Sequence, residues 1–153
     1  MGGYLILKWL HVLLAITALG ANITYGLWFS RAGKEPEHFG FVVRTVRVLD
    51  NRIANPAYGL LLITGFAMAG MGHVPISTPW LLTSLILYVL LIIIAAAGYS
   101  PTLRRGIAAI EAGGPSSAEF RRAGEQGRAF GILLILIAVV IVFLMVAKPT
   151  LWG

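Results

Sequence analysis

Three histidines, four methionines and no cysteine are the metal-capable side chains of this 153-residue chain. His11 stands out because it lies in an uncharged apolar run, Trp9 to Ser30. An ionisable group in such a run is costly to hold in lipid and is a functional candidate by default. Neutral imidazole is a ligand for haem iron and for copper. The other reading of His11 is structural: a bond to a hydroxyl or a backbone carbonyl on a neighbouring helix. Helical spacing puts His11, Ala15, Ala18, Asn22 and Tyr25 on one stripe of small and polar side chains. Such a stripe faces protein rather than lipid.

Met68, Met71 and His73 form a second candidate, spaced M-x-x-M-x-H. Thioether plus imidazole suits copper(I), although methionine is also an ordinary packing residue. His38 lies in a charged segment and reads as a solvated loop histidine. Further along, Asn55, Tyr58 and Thr64, then Thr83, Ser84, Tyr88 and Tyr99, could line a polar cavity or bond across helices. Tyr4, Trp9, Trp28, Trp80, Tyr99 and Trp152 sit where interfacial anchors are expected. No phosphate-binding loop, hydrolase triad or paired-carboxylate site is present. No acidic residue falls inside an expected span, which argues against a carboxylate ion pathway.

The elements that position these residues follow from composition. The chain is 58% hydrophobic and 12% charged, too apolar for a soluble domain of this size. A helix needs ~20 apolar residues to cross the hydrocarbon core. The expected architecture is all-α, an integral membrane four-helix bundle in one domain covering 1–153, with spans about 5–30, 56–71, 80–100 and 129–147. Gly70, Gly72, Pro75 and Pro79 break the long central run into a helical hairpin. Asn55-Pro56 reads as an N-cap followed by a proline at the first helical position. Phe39, Val42, Val43, Val46, Leu49 and Ile53 recur at helical spacing and predict an interfacial amphipathic helix over about 38–53. Ser116 and Glu119 have capping-box spacing, and a helix is expected from near Ser117 straight into the fourth span.

Ten of the twelve basic residues fall between spans one and two or between spans three and four. The positive-inside rule puts those loops in the cytoplasm and both termini outside. The net charge of +6 therefore belongs to a membrane surface and not to nucleic acid. The expected location is a bacterial inner (plasma) membrane, with the lipid bilayer as the first partner. No cleavable signal peptide is evident, so the first span is expected to serve as the targeting element.

Several stretches resemble HemJ-type protoporphyrinogen oxidases: Lys8-Trp9-Leu10-His11, Asn55-Pro56-Ala57 with Thr64-Gly65, Trp80 opening span three, and Val146-Ala147-Lys148-Pro149. The opening is also similar to the membrane domain of copper-resistance protein D. It is similar again to a group of bacterial predicted integral membrane proteins with no assigned function, and the chain is identified as a member of that group. The first resemblance implies haem b bound at His11, and the polar residues Asn22, Asn55, Tyr58 and Ser84 are expected to line its pocket. The oxidases carry a histidine and an essential lysine early in span three, where this chain has Leu82 and Ser84. Serine cannot supply that cation, so the resemblance reaches the scaffold and the histidine but not the reaction. Two alternatives stand beside haem binding. One is a non-catalytic subunit of a homo-oligomer or larger membrane complex. The other is copper handling through His11, Met68, Met71 and His73.

Overall fold

The computed structural model describes residues 2–114 and 116–152, with the backbone alone for Pro36. Helix α1 spans Gly2–Ala32, and a 3-10 turn, Pro36–His38, leads into α2, Phe39–Leu49. A π-turn over Asp50–Ala54 joins α2 to α3, Asn55–Met71, without a break. Helix α4, Pro79–Ile94, passes through a second π-turn, Ala95–Tyr99, into α5, Ser100–Gly113. Helix α6 is Ala118–Ala147. Four continuous helical rods are thus long and apolar enough to cross a membrane: 2–32, 39–71, 79–113 and 118–147. They expose large apolar side chains outward, among them Ile16 at 63%, Ile63 at 65% and Phe143 at 61%. In water this would be untenable, whereas in lipid it is the normal outer surface of a bundle.

The two π-turns have one cause. Proline lacks the N–H that would bond back four residues, and its ring clashes with that carbonyl. Each helix absorbs the proline by widening one turn. Asn55, ahead of Pro56, donates its backbone N–H to the Asp50 carbonyl five residues back. Ser100, ahead of Pro101, does the same to Ala95. Asn55 is therefore not an N-cap; it is fully helical, and the expected helix start is the middle of a rod. The extra residue also shifts the buried register. Ala54 is wholly buried, and Ile53, which the simple repeat puts on the inner face, is 43% exposed. Likewise the third rod does not stop near Ser100 but continues to Gly113.

Packing departs from the expected hairpin. Helix α3 lies on α1 and α4 lies on α6, while α1 meets α6. Spans two and three, though consecutive, do not pack backbone to backbone: no Cα of α3 lies within 8 Å of a Cα of α4. The connecting turn is held instead by α1, where Tyr4 approaches Gly72 and Gly3 approaches the Met71 methyl. At the far end of α6, the Lys148 ammonium sits 5.3 Å from the Trp80 ring centre, a cation–π contact that ties α6 to α4.

The basic end has a core of its own. Phe39, Val42, Val43 and Val46 of α2 are buried against Tyr25, Ala32 and Phe120. The apolar face of α2 therefore turns to protein rather than lying on lipid as an interfacial helix would. Phe39 and Phe120 meet edge to face at 5.0 Å. The helix break before α6 is capped by Ser117, whose hydroxyl accepts from the Phe120 N–H at 3.3 Å. The cap is one residue later than the Ser116–Glu119 box predicts. Between α4 and α6 a second core gathers Leu91, Leu134 and Ile137. Tyr99 packs onto it. There the Phe130 ring occupies the notch at Gly98, where a Cβ would lie 2.6 Å from it.

Candidate functional site

The stripe on α1 faces inward as its composition predicts. Ala18 and Tyr25 are buried, and His11, Ala15 and Asn22 are half-buried. His11 Nδ1 lies 2.7 Å from Thr64 Oγ1 on α3. The Thr64 hydroxyl has a single proton, and its partner is the Leu60 carbonyl at 2.7 Å, with Leu61 at 3.2 Å. With that proton on the Leu60 carbonyl the hydroxyl accepts from His11, which corresponds to the Nδ1–H tautomer with a bare Nε2. Turned toward His11 it donates to Nδ1, and the ring proton then sits on Nε2. The ring packs beside Gly65, where a Cβ would be 3.4 Å from His11 Cε1.

A second polar layer lies further toward the basic end. Asn22 Nδ2 donates to the Ala18 carbonyl at 2.8 Å and to the Tyr58 hydroxyl. Tyr88 on α4 donates its hydroxyl to the Tyr58 carbonyl at 2.8 Å. The two tyrosine rings are 6.3 Å apart. These side chains fill the space that the separated backbones of α3 and α4 leave. Ser84 is 1% exposed, and its hydroxyl bonds the Trp80 carbonyl of its own helix at 2.7 Å.

The third layer surrounds the first π-turn. The Tyr25 hydroxyl is buried with no hydrogen-bond partner among the described residues. Asp50 is half-buried and within electrostatic reach of the phenols of Tyr25, Tyr58 and Tyr99. The Asn55 amide makes long bonds of 3.4 Å to Asp50 and to Asn51.

The expected site residues therefore divide. His11 pairs with Thr64, and Asn22 joins Tyr58. Asn55 is exposed and nine residues from Thr64, about 14 Å along the helix. It lines no pocket with His11. Met68 is half-buried, and Met71 and His73 are exposed at the end of α3. His73 adopts a left-handed backbone, φ 52°, in the turn beyond. Met71 lies seven residues, about 10 Å, beyond the Thr64 level that holds His11. Among the described residues no group of three or more His, Cys, Asp or Glu converges.

A family model spans residues 5–149, nearly the whole chain, and its description is "Predicted integral membrane protein (DUF2269)". The chain belongs to this DUF2269 family. The match covers all four spans and both basic connections, so the multi-pass membrane reading rests on the family as well as on the helices. No curated protein and no solved structure matches the chain.

Two features of this DUF2269 protein were not drawn from its sequence. One is the identity of the His11 partner: the structural reading of His11 expected a hydroxyl or carbonyl on a neighbouring helix, and Thr64 supplies the hydroxyl. The other is the grouping of Asp50 with three tyrosines. Its signal was a proline placed inside an otherwise unbroken helical pattern, which implies a wide turn just where Asp50 stands.

Proposed function

We propose that this membrane protein holds haem b, or a related tetrapyrrole, through Nε2 of His11. We place it in an inner (plasma) membrane with its basic end in the cytoplasm. The observation that supports the reading is the His11–Thr64 contact, which holds one ring nitrogen on a protein oxygen, and the reading takes the Nδ1–H tautomer. Metal-ligating histidines characteristically have one nitrogen held by a protein oxygen while the other meets the metal. The donor chemistry of His11 fits iron, and the similarity to HemJ-type enzymes points the same way.

When bound, the iron would supply one-electron or small-ligand chemistry. The chain's own contribution is positional. Thr64 holds the imidazole against α3 beside Gly65, and Asn22 with Tyr58 forms a separate polar layer, Asn22 lying about 16 Å along α1 from His11. The Ser84 hydroxyl is committed to its own helix and offers no cation to a substrate carboxylate. The proposal accordingly stops at binding. The test is the absorption spectrum of protein purified from haem-supplemented cells. A Soret band present in wild type, absent in His11→Ala and weakened in Thr64→Val supports the reading. A wild-type spectrum without that band overturns it.

A second reading is an accessory subunit. It is favoured by the open small-residue positions Gly20 and Gly26 on α1 and Gly59 and Gly70 on α3, where a Cβ would meet nothing within 4 Å. Such faces suit close approach by another helix, either a partner's or a second copy's. Purification in mild detergent that returns only a monomer, with nothing bound, counts against it.

A further inference from the structure

Outside the bundle, α5 and α6 form a groove of about 400 Å³ lined by Arg105, Gln126, Ala129, Phe130 and Leu133. Four of these are one stripe of α6, at spacings of three, four and seven residues from Gln126. The stripe changes character along its length. Gln126 lies on the polar side, just before the uncharged run that begins at Ala129, and the other three lie within that run. Arg105 of α5 faces the stripe from the polar side and is exposed. Phe130 forms a rigid wall, because its ring is seated at Gly98 in the second π-turn. The groove therefore has a cation and an amide where headgroups lie and an apolar channel where acyl chains lie, across one boundary.

The geometry points to a binding site for a single anionic phospholipid. Its phosphate would pair with the Arg105 guanidinium, whose planar fork matches phosphate oxygens. The Gln126 amide would donate to a phosphate or ester oxygen, and one acyl chain would follow Ala129 and Leu133 toward the bilayer centre. Phosphatidylcholine carries its own cation beside the phosphate and would compete poorly for Arg105. A smaller hollow of about 280 Å³ on α2, formed by Phe41, Arg44, Thr45, Val48 and Leu49, repeats the combination of one arginine with apolar walls. It is built on one helix only, so the proposal rests on the groove between α5 and α6.

The experiment is native mass spectrometry of the whole protein in mild detergent, titrated with phosphatidylglycerol or phosphatidylcholine. The expected result is one tightly held phosphatidylglycerol per chain and weaker retention of phosphatidylcholine. Arg105→Gln should lower phosphatidylglycerol affinity about fivefold, the scale of one interfacial arginine. Ala129→Trp should do so by filling the channel while leaving the charge in place. Arg47→Gln, an exposed cation on α2 outside the groove, should have no effect. Equal losses from Arg47→Gln and Arg105→Gln would mean diffuse charge attraction and overturn the site. So would retention of both lipids alike, or displacement of the lipid by millimolar inorganic phosphate.

Discussion

His11 and Tyr25 stand on the same stripe of α1, fourteen residues apart, and their polar atoms are treated in opposite ways. The His11 ring is half-buried, and its Nδ1 meets the Thr64 hydroxyl at 2.7 Å. The Tyr25 ring is almost wholly buried, and its hydroxyl meets nothing. The difference lies in the neighbours. At the His11 level α1 faces Thr64, a residue with a spare lone pair. At the Tyr25 level it faces Phe39, Val42, Val43 and Val46, which accept the ring and offer no partner to its oxygen. In a lipid-embedded bundle the ring is held by close packing against these side chains, not by expulsion from water, and its hydroxyl goes without a partner. Tyr25 is thus positioned by its ring and His11 by its nitrogen.

This contrast orders the expected mutational effects, all read as thermal unfolding in a fixed detergent. Thr64→Val keeps the shape and removes the acceptor, leaving the Nδ1–H of His11 unsatisfied. A loss of about 1–3 kcal/mol is expected, and no change would mean that His11 finds another partner. Gly65→Ala should change stability by less than about 0.5 kcal/mol, because the new methyl meets His11 Cε1 at the edge of ordinary contact and the slight crowding is offset by the better helix former. An equal or larger effect than Thr64→Val would make packing, not the hydrogen bond, the determinant of ring position. Tyr25→Phe removes only the orphaned hydroxyl and should be neutral or stabilising by up to about 1 kcal/mol. A clear destabilisation would show that a bound molecule meets that hydroxyl. Asn55→Ala should shift stability by less than about 0.5 kcal/mol, since its amide is exposed and its bonds are long.

Much of the bundle was legible in the sequence because lipid is a strict solvent. Uncharged length sets the spans, and the inward stripe from His11 to Tyr25 follows from helical periodicity. What was hidden depended on backbone detail. Pro56 and Pro101 look like helix boundaries, yet neighbouring helices hold their rods together and the backbone widens instead of breaking. That single extra residue moves Ala54 to the inside and Ile53 to the outside. The amphipathic repeat of α2 was visible, but whether its apolar face meets lipid or protein depends on Phe120, more than sixty residues away. Asn55 illustrates the same limit: its type suggested a pocket, and its place beside the wide turn left it exposed.

The most direct test of the account is the tautomer of His11. Nitrogen-15 NMR of histidine-labelled protein in detergent or bilayers, with the His11 signal assigned by loss in His11→Gln, distinguishes a protonated ring nitrogen from a bare one. The account predicts a proton on Nδ1 and a bare Nε2 when the ring is neutral, with that preference lost in Thr64→Val. A proton found on Nε2 in the wild-type protein would contradict it and remove the donor atom on which the haem proposal depends.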